Sequence, residues 1–462
     1  MPIVPVVSFW DVGPGLSRAD LTAALQGQSS RYPTVIVPSA DRDAIAAALG
    51  VTIADAVTSG TADDIRAAVK DGALGLLRAT DVTPQVRALP LDGKDLFGND
   101  RVAKTADWPL SIPIADASAA AWDQGASWTL VAGGDIVLDR GTYLKVVKDG
   151  KGVTYPFDGG TAQVTGRHCC GWFTELGKYD IPDYVQTGNA GVVRSLVSGA
   201  DLTIANLEDP TPDDWVYHAH GLPFSGDPAL LSMLSGAGID FVTLANNHIE
   251  DYGTSGIKDT VKHLPQAGLA FAGAGLDLGQ AQQPGVLTAD GQTVTILPCV
   301  AVDPNVFATA KRSGGRPCDD PQLIPDIRAA AAKPGVVIVF PHWGTEYVYP
   351  PSGLQRSFAK HWLAAGADLV LGSGPHIAGA IGDFGGKLCI FSMGNFLLDQ
   401  NWAEITMEGL LVEVTFNGDQ VVQTRLHPTL ILDLTQPNLL DPETTAVVYG
   451  RIEKASKGML DF

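Results

Sequence analysis

Six short segments hold most of the side chains in this chain that could do chemistry. They are Gly134-Asp135-Ile136-Val137-Leu138-Asp139, Asn206-Leu207-Glu208, Ala245-Asn246-Asn247-His248-Ile249-Glu250-Asp251-Tyr252-Gly253, Pro341-His342-Trp343-Gly344-Thr345-Glu346, Gly372-Ser373-Gly374-Pro375-His376 and Ser392-Met393-Gly394-Asn395-Phe396. Together they supply carboxylates, carboxamides and imidazoles. Hard divalent cations take oxygen ligands, and imidazole extends the choice to transition metals. A lone Gly-Asp or a lone histidine at a strand end is ordinary turn chemistry. Their recurrence at successive strand ends is what points to a bound metal.

The elements that must position them are apolar runs of strand length: Trp128–Ala132, Leu202–Ala205, Phe241–Leu244, Thr293–Leu297, Val336–Phe340, Leu369–Leu371 and Leu388–Phe391. Helical patterns at Leu230–Ala237 and Ser255–Leu264 lie between several of them. Open α/β sheets bind ligands at the carboxyl ends of their strands, where these polar segments fall. A closing hairpin is expected around Asn417-Gly418, with period-two alternation over Leu410–Phe416 and Gln420–Pro428. Ahead of all this, residues 1–125 read as a smaller α/β module. Its strands fall at Ile3–Phe9, Val35–Pro38 and Leu74–Arg78, its helices at Asp41–Leu49 and Thr61–Lys70, and Leu89–Ser118 is a proline-rich connector. The expected organisation is an N-terminal module over 1–125 and a larger α/β, sandwich-like domain over 126–462.

The chain's 462 residues are roughly two or three domains' worth. Hydrophobic residues make up 45%, enough for a large core. Against 31 Lys+Arg stand 51 Asp+Glu, a net charge of −20, which repels phosphate backbones and argues against a nucleic-acid partner. No apolar run reaches the ~20 residues that span a bilayer, so no membrane partner is expected. The N-terminus lacks the basic-then-apolar pattern of a secretory signal, and a cytoplasmic protein is expected. Five cysteines do not suggest a disulfide framework, and Cys169-Cys170 reads as two reduced thiols in a loop.

The six segments, in this order, resemble the CapA family, named for poly-γ-glutamate capsule synthesis, which is itself similar to the calcineurin-like metallophosphoesterases. The likeness covers about residues 128–400. It implies a β-sandwich flanked by helices with metal at the strand ends. Position by position, it implies Asp135, Glu208 and Asn247 as metal ligands, with His342 and His376 serving the two metal sites. His248 would then be an acid/base group oriented by Asp251. Two departures stand out. The superfamily's Asp-x-His reads Asp135-Ile136-Val137, and its His-Pro-His reads Gly374-Pro375-His376. With two imidazoles missing, one hard ion (Ca²⁺, Mg²⁺ or Mn²⁺) is expected in place of two transition metals, freeing His342 and His376 for proton transfer.

Two-metal phosphoester hydrolysis is undermined by those losses. Proton abstraction beside a carboxyl group needs only one cation with a base and an acid on opposite faces. The chain is similar on these counts to a cytoplasmic branch of the family that epimerises the C-terminal residue of a ribosomal lasso precursor peptide. Such a peptide is the expected partner. Metal-dependent phosphoester hydrolysis and an accessory role in poly-γ-glutamate synthesis are the alternatives. Trp343, Glu346 and Asn395 are the expected substrate contacts, with Trp172, Phe173, Tyr252, Tyr347 and Trp402 as further aromatic candidates. His218-Ala219-His220 reads as a solvated loop.

Overall fold

The computed structural model describes residues 1–114, 121–173, 176–187 and 191–460, with no side-chain description at 170, 172 and 173. Its contacts divide the chain into two units. One comprises Met1–Thr129 with Glu413–Arg425; the other comprises Leu130–Val412 and Leu426–Leu460.

The first unit is built on a five-stranded mixed sheet in the order Thr58–Gly60, Val35–Pro38, Leu74–Arg78, Ile3–Ser8, Val86–Ala88. Helix Ala62–Lys70 starts at a reciprocal capping box between Thr61 and Asp64 and buries Ile65 and Val69. Those two side chains press on Gly75, where a Cβ would come within 2.5 Å of Ile65, so the strand carries glycine at the crossing. The helix expected at Asp41–Leu49 begins one residue later. The Asp41 carboxylate is drawn away from capping by Arg78, at 2.7 and 2.8 Å. Hairpin residues 413–425, which the sequence pattern places in the larger domain, belong to this unit. The Glu413 carboxylate and Thr415 hydroxyl accept the N–H groups of Asn99 and Gly98, and Arg425 pairs with Asp95 at 2.7 Å.

The second unit has the α/β calcineurin-like architecture that the motifs imply. A ten-stranded sheet runs Ala270–Ala272, Phe241–Thr243, Leu202–Leu207, Ser127–Ile136, Glu408–Asn417, Gln420–Leu432, Gln436–Leu440, Thr161–Phe173, Gly177–Thr187, with Asn395–Leu397 also paired to Ser127–Ile136. A six-stranded sheet runs Gly285–Ala289, Gln292–Val300, Val336–His342, Leu369–Leu371, Leu388–Ile390, Ile381–Asp383. Val336–His342 is buried along its whole length, as parallel strands covered on both faces must be. Two helices lie near their expected places, at Leu231–Gly236 and Gly253–Gln266. The long antiparallel ribbon Thr161–Phe173 with Gly177–Thr187 carries no signal in the sequence, because its described faces are largely exposed and impose no hydrophobic alternation.

The cysteines depart from expectation. Cys299 and Cys318 form a disulfide, 19 residues apart, which a low and odd cysteine count concealed. Cys169 is also disulfide-bonded, not a reduced thiol, and the Cys170 side chain lies outside the described residues. Among the described residues no helix is long and apolar enough to cross a membrane.

Candidate metal centre

Strand pairing delivers the polar segments to one place. Asp135, near the end of Ser127–Ile136, is in register with Asn206 on one side and Asn395 on the other. Gly134 permits the second contact: a Cβ there would collide with the Gly394 carbonyl oxygen. Glu208 directly follows strand Leu202–Leu207. From the other sheet, His342 ends its strand and bridges to Ser373, three residues before His376.

Asp135, Glu208 and His342 each offer a ligand atom, and these atoms all lie within 4.8 Å of one another, fully buried. His342 Nε2 is 3.5 Å from Glu208 Oε1, and its Nδ1 is 3.9 Å from Asp135 Oδ1. The Ser373 hydroxyl sits 3.0 Å from Nδ1, which leaves Nε2 to face Glu208. Asn206 Nδ2 donates to Asp135 Oδ1 at 2.8 Å and also to Glu208. Asn246 Nδ2 in turn donates to the Leu207 carbonyl at 2.7 Å and to Asn206 Oδ1 at 3.2 Å.

The electrostatics leave room for a cation. Burial pushes the Glu208 carboxyl well above its ordinary range, and the neighbouring Asp135 charge adds to the shift. Burial also works against the Asp135 charge. The His376 hydrogen bond, with the His376 and His342 charges, outweighs it and holds Asp135 below its usual value. Burial drives His342 down to about 4, so it is the neutral imidazole a metal requires. His376 is shifted upward: burial opposes its charge, but Asp135 prevails, with Nδ1 at 3.1 Å from Oδ2. That same Nδ1 lies 2.9 Å from Asn395 Oδ1 and cannot satisfy both oxygens with one proton. Among the described residues Glu208 Oε1 has no hydrogen-bond partner, and Asp135 Oδ2 has no well-aligned one. Two buried, under-satisfied carboxylate oxygens beside a neutral imidazole fit one divalent cation.

Residues 129–400, more than half of the chain, match the bacterial capsule synthesis protein PGA_cap family. This chain belongs to that family. It is 30% identical to the PGA biosynthesis protein CapA of Bacillus subtilis (strain 168) over 48% of its own length and 59% of the relative's. It is 32% identical to the capsule biosynthesis protein CapA of Bacillus anthracis over 48% and 56%. The chain thus spans little more than half the length of these curated relatives. A 5'-nucleotidase precursor structure from Thermus thermophilus aligns over 71% of this chain and 58% of its own, at 13% identity and a TM-score of 0.37.

Both departures from the metallophosphoesterase pattern have a structural cause in this PGA_cap member. Val137, in the place of an imidazole, packs with Phe224 and Leu398 into an apolar wall. Gly374 sits at φ +111°, and a Cβ there would meet the Trp343 oxygen at 2.9 Å and nitrogen at 3.0 Å. At position 374 a side chain has no room against the Trp343 backbone.

His248 and Asp251 are brought together as an imidazole–carboxylate pair, Nδ1 to Oδ2 at 3.0 Å. The Asn246 side chain holds the His248 backbone N–H at 3.0 Å. Asn247, expected as a ligand, is half-buried and makes no side-chain hydrogen bond among the described residues. Two expected substrate contacts need correction. Trp343 is wholly buried, stacked on Trp362 at 5.4 Å with its indole N–H donated to the Phe391 carbonyl, because it points from its strand to the face opposite His342. Asn395 is buried and saturated: it holds His376, and its amide donates to Gln400 and the Thr406 carbonyl. Glu346 is exposed, and its charge helps raise His376. Tyr347 lies 6.4 Å from the His376 ring, whereas Trp172 and Phe173 fall outside the described side chains. Asn206, Asn246 and Ser373 were missed as supporting residues, although all three lie inside the quoted motifs.

Proposed function

We propose that this chain is a metal-dependent acid/base enzyme that inverts a carbon next to a carbonyl in a peptide-type substrate, the C-terminal residue of a ribosomal precursor peptide. The observation that carries this reading is a buried centre fit for one cation, beside a separate His–Asp pair, with Val137 and Gly374 standing where the superfamily has two further imidazoles. Asp135, Glu208 and His342 would hold the ion. A bound divalent cation supplies positive charge against the negative charge that develops on the substrate carbonyl.

The protein's own groups do the rest. Asp251 takes the His248 Nδ1 proton in a hydrogen bond, so Nε2 carries the lone pair that accepts a substrate proton. His376, held by Asp135 and Asn395, is shifted toward its charged form by Asp135. Burial of this set excludes bulk water and strengthens each interaction.

A second reading, processing of poly-γ-glutamate, is supported by the CapA relatives and by the Cys299–Cys318 disulfide. Disulfides persist in oxidising compartments, which favours an exported protein over the cytoplasmic one expected. Metal-loaded protein incubated in D2O with peptides ending in L- or D-residues, and separately with poly-γ-glutamate, distinguishes the two. Deuterium at the terminal Cα with altered configuration supports the epimerase. Shortened poly-γ-glutamate with no deuterated peptide overturns it.

A further inference from the structure

Arg140 closely follows the Gly-Asp segment that supplies Asp135, and the metal centre does not use it. Its backbone is left-handed, at φ +52°, where a long side chain is strained and persists only when its surroundings hold it. Two contacts do the holding. The buried Asp139 carboxylate accepts the Arg140 backbone N–H at 2.8 Å and caps the short helix Arg140–Tyr143. Asp399, just beyond strand Asn395–Leu397, sets its carboxylate across Nε, 3.0 Å from Oδ1 and 3.3 Å from Oδ2. Gly141 admits that approach, since a Cβ there would fall 2.6 Å from the Asp399 Cβ.

The pairing leaves the guanidinium half used. Arginine commonly joins a carboxylate as a two-pronged fork, through two nitrogens at once. Here both Asp399 oxygens crowd onto one nitrogen, and Nη1 and Nη2 donate to no group among the described residues. The side chain is 12% exposed, and its unused edge is open to solvent.

That edge lies beside the acid/base pair. Arg140 Cζ is 5.4 Å from the Phe224 ring centroid, and the same ring lies 4.2 Å from the His248 imidazole. Asp251 ties the two together, accepting both His248 Nδ1 at 3.0 Å and the Phe224 N–H at 2.7 Å. The chemistry calls for a cation there. When the carbonyl beside the reacting carbon is itself a carboxylate, removing the proton gathers two negative charges on two oxygens. A divalent ion already offset by Asp135 and Glu208 does not balance them alone.

We propose that the open Nη1/Nη2 edge of Arg140 receives the free α-carboxylate of the substrate and so selects chains whose reacting carbon carries an uncapped carboxylate. The inference rests on the epimerase reading above for the place of the reacting carbon. A carboxylate on the fork holds the carbon beside it toward His248. Asp399 is a positioning residue that keeps Nε occupied and turns the fork outward. Two chemistries present this group: the end of a peptide, and every unit of poly-γ-glutamate.

The test titrates the full chain, loaded with Mn²⁺ in D2O, by calorimetry with three probes. They are N-acetyl-glycyl-L-phenylalanine as the free acid, the same dipeptide as its amide, and a γ-linked L-glutamate trimer. The wild type should bind an acid and ignore the amide, and the tighter of the two acids names the source. Arg140→Lys keeps a charge for Asp399 but lacks the fork. It should hold the wild-type melting temperature and Mn²⁺ affinity, and bind that acid on the order of 10- to 100-fold more weakly. If the variant unfolds, the acid–amide preference of the wild type decides alone. Equal binding of dipeptide acid and amide, no binding of any probe, or acid binding unchanged in folded Arg140→Lys overturns the proposal. An acid that binds through Arg140 yet gains no deuterium at its α-carbon counts against the epimerase reading and leaves the carboxylate site standing.

Discussion

Glu208 is the side chain whose behaviour most directly reports the metal centre. Its folded-state pKa lies above the unfolded value, so its contribution is present at low pH and lost as pH rises through the folded value. With a chelator present, Glu208→Gln should therefore gain stability relative to wild type between pH 5 and pH 8, read by urea unfolding at both. With Mn²⁺ at about a hundred times its dissociation constant, the wild type should gain about 2.7 kcal/mol and the variant almost nothing. At Gly374, alanine would combine a left-handed backbone with contacts of 2.9 and 3.0 Å, and should cost about 1–3 kcal/mol in the same assay. Asp135, Glu208 and His342 were legible because polar residues that end buried strands stand out in a sequence. Trp343 was misread because residue type does not reveal a side chain's direction, and neighbours on a strand face opposite ways.

At the level of elements, the centre depends on how closely two strand ends approach. Gly134→Ala would drive a methyl group into the Gly394 carbonyl and break the Asn395–Asp135 register. Its cost should be at least the upper end of the roughly 1–3 kcal/mol range for overpacking, with metal affinity lost, as calorimetric titration would show. Removing the cap of helix Ala62–Lys70 by Thr61→Ala should cost about 1 kcal/mol and leave that affinity unchanged. The buried parallel strands were readable as continuous apolar runs. The ribbon Thr161–Phe173 and Gly177–Thr187 was not, since strands exposed on their described faces need no alternation.

Across the whole molecule, the net charge of −20 surrounds a buried cation site with a negative field. Ion binding should therefore weaken several-fold between about 20 mM and about 300 mM monovalent salt, as the screening length shortens, and titration at both ionic strengths checks this. The two units that the contacts define have a make-up that no pattern along the sequence carries. Residues 413–425 join the N-terminal unit because their side chains satisfy backbone N–H groups at 98 and 99, a pairing across more than 300 positions that no local pattern encodes.

The stacking of Trp343 on Trp362 gives the protein a built-in optical reporter. Trp343 follows His342 in the chain, and its indole is sealed from solvent. A shift of that strand end when His342 takes up the ion would alter the packing of the stacked indoles. The emission lost on replacing Trp343 with phenylalanine would therefore isolate a signal that follows occupancy of the centre in real time, without any substrate.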